Sequence, residues 1–337
     1  MRTPAFILIL TAVAAALYLA FNFVGNDYLF FAGYTVLQYI VLATAWNILG
    51  GYCGYVNFGS AGFFAIGVYT SVFLYAVGQQ VEEIFPEALL APMQLIFPIP
   101  LPFLIVIAGA VAGLVGLGMG YLTLRLRGVF FAIATLALSV VLETFIVNWS
   151  FVGGSRGAYV IPPNEVPIFG HYIQFLFALM LALVVIALTT ARLIERSKLG
   201  VGFATIRDDE LAAEASGVPT LRLKLVATIV SGALMGMAGA PFPYYIGYVE
   251  PGSAFNLSYA VNSIAMPMIG GTTTWLGPLV GALLLGTLQQ VATVTISSAV
   301  NLLIVGLLLI FFVIIAPRGI VGLVQDWMRK RTKGDKA

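Results

Sequence analysis

Stretches of about twenty apolar residues recur along this chain, and that pattern alone removes most folds from consideration. The first covers 5–24, and comparable runs follow near 29–49, 56–77, 101–122, 128–149, 171–191 and 224–246. A helix rises about 1.5 Å per residue, so about twenty residues cross a hydrocarbon core about 30 Å thick with their backbone hydrogen bonds made internally. Only 9% of the 337 residues are charged, against about 25% in a soluble domain. Water is therefore not the main solvent, and the two soluble domains that length alone would permit are excluded. Arg2 and the run after it also resemble a secretory leader, but 5–24 is long enough to span and is taken as a retained first helix.

Orientation follows from the basic residues, which stay preferentially on the cytoplasmic side. Fifteen of the sixteen fall in four patches: Arg2, the Arg125/Arg127 pair, the 192–224 segment and the tail from Arg318 to Lys336. Counting crossings from a cytoplasmic amino terminus puts all four inside, provided that 257–316 holds an odd number of crossings. That region is nearly all apolar but is broken at Pro267, at Gly270-Gly271, at Pro278 and around Thr295-Ser298. Three crossings are preferred over one, because a single crossing would leave about forty residues with no place but the interface. The expected architecture is all-α and polytopic, with about ten transmembrane helices and eight as the alternative. It forms a single transmembrane domain over 1–337, with a cytoplasmic loop at 192–223 and a basic cytoplasmic tail at 318–337. The proline-rich segment 78–100 is not expected to span, since proline breaks a helix interior.

Several chemistries are excluded. Cys53 is the single cysteine and His171 the single histidine, so neither an internal disulfide nor a thiolate and imidazole metal site can form. No nucleophile and base pair stands within the spans, and there is no Gly-x-x-x-x-Gly-Lys-[Ser/Thr] phosphate loop. The chain is not expected to be an enzyme, to bind a metal or cofactor, or to contact nucleic acid; its surroundings are membrane lipid. Polar side chains within spans are costly and hence functional suspects. Asn57, Ser60, Thr135, Ser139, Glu143 and Asn262 are the candidates for a translocation path. For Glu143 three readings stay open: facing the path, bonding a neighbouring helix, or snorkelling outward. Asn47 and Asn57 also suit caps of the Gly50-Gly51-Tyr52-Cys53-Gly54 turn. The glycine sets 59, 62, 67 and 113, 116, 118, 120 suit close helix packing.

The cytoplasmic segment between the sixth and seventh spans holds about a third of the charged residues. Asp208-Asp209-Glu210 suits a helix amino terminus, and Gly217 followed by Pro219 suits its end, so a helix of about two turns is expected there. Its small residues, Ala212, Ala213, Ala215 and Ser216, leave room for another protein surface.

The Leu-Ala-Ala-Glu-Ala-Ser-Gly stretch at 211–217 resembles the coupling loop of ABC importer permeases, with Leu211 where that pattern has Glu. The longer run Arg-Asp-Asp-Glu-Leu-Ala-Ala-Glu-Ala-Ser-Gly-Val at 207–218 is similar to the variant in the branched-chain amino acid permease family. Blocks at 47–54, 57–70, 124–137 and 270–282 resemble the same family in the same order, and the resemblance covers roughly 30–325. It implies a type II-like ABC importer permease in a bacterial inner membrane, multi-pass, with both termini cytoplasmic. The implied partners are ABC ATPase subunits that carry the ATP and Mg, a second and different permease subunit, and a periplasmic solute-binding protein. The implied ATPase-coupling residues are Arg207, Asp208, Asp209, Glu210, Leu211, Ala212, Ala213, Glu214, Ala215 and Gly217. The implied solutes are branched-chain or other hydrophobic amino acids, with urea, short amides or aromatic acids as the alternative. An ion-coupled secondary transporter is a further alternative, but it would need several ionisable groups near the midplane, and only Glu143 qualifies.

Overall fold

A computed structural model of the chain describes residues 3–162, 165–166, 170–295 and, beyond these, 303, 306–311, 314, 319–324 and 328. The helices are α1 Thr3–Val24, α2 Asp27–Asn47, α3 Ser60–Gln79, α4 Val81–Ile84, α5 Glu87–Ile96, α6 Leu101–Thr123, α7 Val129–Val147, α8 Tyr172–Glu195, α9 Lys198–Asp208, α10 Glu210–Ala215, α11 Thr220–Gly239, α12 Phe242–Ile246, α13 Pro251–Ala254, α14 Leu257–Gly270 and α15 Leu276–Thr295. A π-helical turn, Ile48–Tyr52, prolongs α2. Two small antiparallel ladders pair β1 (Ala158–Tyr159) with β4 (Tyr248–Val249), and β2 (Glu165–Val166) with β3 (Gly170–His171).

Among the described residues, eight helical segments are long and apolar enough to cross a membrane: α1, α2 with its π turn, α3, α6, α7, α8, α11 continued through α12, and α15. The protein is a polytopic all-α membrane protein. Each of the seven spans expected before residue 250 has its helix. Within 257–316, α15 is one full crossing and α14, with Pro267 inside it, has 14 residues. The remaining crossing of the ten-helix arrangement falls where most residues lie outside those described. The 78–100 segment makes two short helices, and Pro92 sits inside α5, where it forfeits a backbone hydrogen bond without ending the helix.

The chain groups into two compact units, each assembled from separate stretches of chain. The first contains 1–56, 180–224 and 261–337. Its centre is α2, where Val41, Leu42, Ala43 and Ala45 are fully buried. Helix α15 runs along α2 with Gly286 opposite Val36 and Tyr39. Helices α14 and α15 meet backbone to backbone: a Cβ added at Gly281 would lie 1.8 Å from the Met266 carbonyl oxygen. This is the small-residue packing of membrane helices, where lipid supplies no hydrophobic drive to bring helices together. It gives the Gly270-to-Gly281 stretch its physical role.

The second unit contains 57–179 and 225–260 and is built around α3. Residues 225–239 of α11 cross α3 so closely that a Cβ on Gly67 would stand 2.0 Å from the Gly236 oxygen. Ser71 Oγ donates to the Ala240 carbonyl at 2.9 Å just beyond the crossing. Phe64 packs between Phe242 and Tyr259, with ring centroids 5.3 and 4.4 Å away. On α7, Phe130, Val141 and Phe145 are exposed, as they can be where hydrocarbon replaces water.

Candidate coupling site and polar lining

The polar segment after α8 holds two helices: α10 is the short helix expected between the acidic run and Gly217, and α9 precedes it. Ser197 Oγ accepts from the Leu199 and Gly200 amides at the start of α9. Asp209 then breaks the run: its backbone is extended (φ −159°, ψ 108°), and its Oδ1 accepts from the Leu211 and Ala212 amides at 2.9 and 3.0 Å. An aspartate so placed ends one helix and caps the next, so the acidic run is the amino terminus of α10, as expected, and also the end of α9. Gly217, at φ +83°, closes α10: its amide bonds Glu214 O and the Val218 amide bonds Ala213 O. That pair of bonds is a Schellman ending, which needs a left-handed residue where glycine stands. Thr220 Oγ1 donates to Glu214 Oε1 at 2.9 Å, tying α10 to the start of α11.

The ten residues read as a coupling surface therefore divide. Leu211 is 64% exposed, and Ala212, Glu214, Ala215 and Gly217 are exposed with it. Arg207 and Asp208 are exposed and pair with each other at 3.2 Å. Asp209 is exposed and spends its carboxylate on the cap. Ala213 and Glu210 point the other way. Ala213 is buried, and Glu210 receives Lys224 Nζ at 2.7 Å, with side-chain exposures of 4% for the lysine and 13% for the glutamate. Tyr55 completes the group: its hydroxyl donates to the other Glu210 oxygen and accepts from Lys224 Nζ at 3.1 Å. Removing one partner of a buried ion pair costs about 3–5 kcal/mol, because the other charge is left without compensation. Cys53, fully buried close by, has its thiol pushed up to about 12, chiefly by burial.

A second polar lock lies in the same unit. Arg192, also buried, sets its guanidinium 3.7 Å from the Phe6 ring centroid and 5.8 Å from that of Trp275. Glu195 accepts from the Trp275 amide at 2.9 Å, which fixes the loop leading into α15. Sequence reasoning counted Arg192, Glu195 and Lys224 only as loop charge, and it passed over Tyr55. The available signal was their setting: Arg192 and Lys224 are each embedded in apolar sequence, where a charge needs a partner.

The path candidates fall in both units. In the second, Asn57, Ser60, Thr135 and Ser139 come together where α3 begins against α7. Asn57 Oδ1 accepts from the Gly59 amide at 2.7 Å, and Thr135 Oγ1 accepts from the Phe58 amide at 3.2 Å. Ser139 packs against Gly62, and all four polar side chains are buried. Glu143, two turns beyond Thr135 on the same face of α7, is half-buried. Asn262 is apart from these, in the first unit, where its Oδ1 accepts from Gln289 Nε2 at 2.9 Å. Asn57 thus acts as a turn cap, whereas Asn47 makes no cap hydrogen bond to the π turn that follows it. Among the described residues, no three His, Cys, Asp or Glu side chains are grouped so as to hold a metal ion.

These features define a multi-pass membrane protein with a short, well-capped helical pair between two spans, the type of element a second protein can grip. The chain belongs to the family described as branched-chain amino acid transport system / permease component, whose profile matches residues 28–313. It is 26% identical to the high-affinity branched-chain amino acid transport system permease protein LivM of Escherichia coli, over 89% of this chain and 72% of that protein. The LivM protein of Salmonella typhimurium matches with the same identity and the same shares. A probable branched-chain amino acid transport permease protein LivH of Methanocaldococcus jannaschii is 27% identical over 68% of this chain and 75% of its own length. No solved structure matches the chain. It is a permease component of a transport system.

Proposed function

We propose that this chain forms one transmembrane half of an ATP-binding-cassette importer in a bacterial inner membrane, with both termini cytoplasmic. Its partners are ATPase subunits that bind ATP and Mg, a different permease subunit and a periplasmic solute-binding protein; this chain hydrolyses nothing. The solute is a branched-chain or similar hydrophobic amino acid, the class for which its relatives are named. The observation that carries this reading is the outward face of α10, Leu211, Ala212, Glu214 and Ala215, on a helix capped at both ends. A short capped helix that presents Leu211, Ala212 and Ala215, with Glu214 beside them, suits a cleft in another protein. Closure of the ATPase pair on ATP would move α10, and the polar residues between α3 and α7 would line part of the path exposed in turn to each side.

Ala212→Trp tests the reading, because it adds bulk to the exposed face and leaves buried Ala213 alone. The variant should insert in the membrane as the wild type does, lose the ATPase on affinity purification, and lose ATP-dependent leucine uptake. Normal uptake would refute the coupling role of α10. Uptake by the wild type that survives ATP depletion and collapses with an uncoupler would refute the importer class.

A further inference from the structure

Helix α10 has six residues, too few to hold a direction unaided. Besides the covalent chain, its Schellman ending and the buried Ala213, α10 is oriented by the Asp209 cap, the Thr220 to Glu214 hydrogen bond, and the group of Tyr55, Glu210 and Lys224. The first two are local to the segment. The third reaches outside it, to Tyr55 in the strand of chain after the π turn and to Lys224 at the start of α11. These are also the positions at which the chain leaves the first unit: Asn57, two residues after Tyr55, opens one segment of the second unit, and Leu225, next after Lys224, opens the other.

We infer that Tyr55, Glu210 and Lys224 are positioning residues that carry displacement of α10 into the two chain passages leading to the second unit, so that they set how much transport each ATP cycle yields. The inference rests on α10 being the ATPase-coupling helix.

Three properties of the group suit that task. The glutamate uses both oxygens, one toward Lys224 and one toward Tyr55, so α10 is held at two points and cannot pivot about a single bond. The ammonium also lies 4.7 Å from the Tyr55 ring centroid, which fixes the tyrosine relative to α11. Exposure is low, 7% for the Tyr55 residue and 4% and 13% for the side chains of the pair, so solvent screens the attraction far less than at the surface. A well-packed apolar contact would stabilise the fold at least as well as a buried ion pair does. What the charged group adds is a defined geometry, short and directional, between one helix and two points of chain. Leu211 and Ala212 meet the partner on one face of α10 while Glu210 grips the membrane domain from the other.

The test uses the assembled transporter, purified through this chain and reconstituted in liposomes with its solute-binding protein. Leucine uptake and ATP hydrolysis are measured on the same preparation. The variants are Tyr55→Phe, Glu210→Gln, Lys224→Met and the exchange Glu210→Lys with Lys224→Glu. In the single variants the ATPase should co-purify at wild-type stoichiometry, while uptake per ATP hydrolysed falls about tenfold, within the range of coupling free energies between protein sites. The exchange should recover part of that loss, which a purely structural role in either residue alone would not produce. A ratio of uptake to hydrolysis unchanged in the assembled single variants overturns the inference. Should Glu210→Gln or Lys224→Met fail to accumulate, Tyr55→Phe carries the test, since it deletes one hydroxyl and keeps the ring; an unchanged ratio there overturns the inference equally. A wild-type chain that brings down no ATPase would instead remove the coupling reading itself, a result distinct from assembly with an unaltered ratio.

Discussion

Two glycine-to-alanine substitutions, one at a helix crossing and one on an open face, should move stability in opposite directions. At Gly67 on α3, the new methyl would lie 2.0 Å from the Gly236 oxygen and 2.7 Å from both the Gly236 carbonyl carbon and Cα. An ordinary carbon-to-oxygen contact is about 3.3–3.6 Å, so the two helices must separate by more than an ångström. All three obstructing atoms are backbone, and no side chain can rotate away. Overpacking of this kind costs about 1–3 kcal/mol, and the upper part of that range applies because a gap of about 0.5–1 Å forfeits a quarter to a half of each neighbouring dispersion contact. Alanine returns about 1 kcal/mol through helix propensity, leaving Gly67→Ala about 2 kcal/mol less stable than wild type. At Gly118 on α6 a Cβ would meet nothing within 4 Å, so only the propensity gain of about 1 kcal/mol acts there. The purified chain in detergent is heated while the folded fraction is followed by size-exclusion chromatography. Gly67→Ala should lower the midpoint by several degrees, and Gly118→Ala should hold or raise it. A Gly67→Ala protein as stable as the wild type would refute the claim that α3 and α11 are in backbone contact.

Two further outcomes follow from the first unit. Cys53, with a thiol raised from 9.0 to about 12, should have about a thousandfold less thiolate at pH 8 when folded than when unfolded, so maleimide labelling should be slow until the chain is denatured. Because the raised group disfavours its charged form in the fold, the associated stability is intact below about pH 9, the unfolded value, and declines as pH rises from there toward the folded one; rapid native-state labelling at pH 8 would contradict the buried placement. Asp209→Ala removes the cap of α10, worth about 1 kcal/mol, and should reduce ATPase co-purification. Asp208→Ala breaks only an exposed pair with Arg207 and should not. Equal retention of the ATPase by both variants would separate the cap from the docking surface.

Much of this architecture was legible because its causes are local. A run of about twenty apolar residues is stable in hydrocarbon as a helix, and the seven spanning helices expected before residue 250 begin and end within a few residues of the expected limits. Gly217 declared the end of α10 because only a left-handed residue completes that hydrogen-bond pattern. What stayed hidden depends on separation in sequence. Tyr55 is 155 residues from Glu210, and nothing within either segment says that they meet. The acidic run did mark the start of α10, with Asp209 as its cap, whereas helix α9 before it was not expected. The fate of Glu210 illustrates the limit best, since the resemblance put it with its neighbours as part of a docking surface while its side chain turns inward.

The two units fix their geometry by different means. Between helices in a bilayer, apolar burial does not choose a partner, because lipid is as apolar as a leucine side chain. The second unit makes its choice largely with glycine, at Gly67 against Gly236 and at Gly239 against the Phe64 carbonyl, where the backbones leave no room for a Cβ. In the first unit, glycine serves at the crossing of α14 and α15, but the charged and amide groups Lys224 with Glu210, Arg192 over Phe6, Glu195 on Trp275 and Gln289 on Asn262 do the rest. Three of those four surround the segment from α8 to α11 that carries α9 and α10. A hydrogen bond or ion pair fixes direction as well as distance, whereas a van der Waals contact fixes distance alone. Directional bonds are thus concentrated around α9 and α10, and backbone contacts around the crossing of α3 and α11, so a substitution at Glu210 or Lys224 should disturb the placement of α10 while one at Gly67 should disturb helix packing.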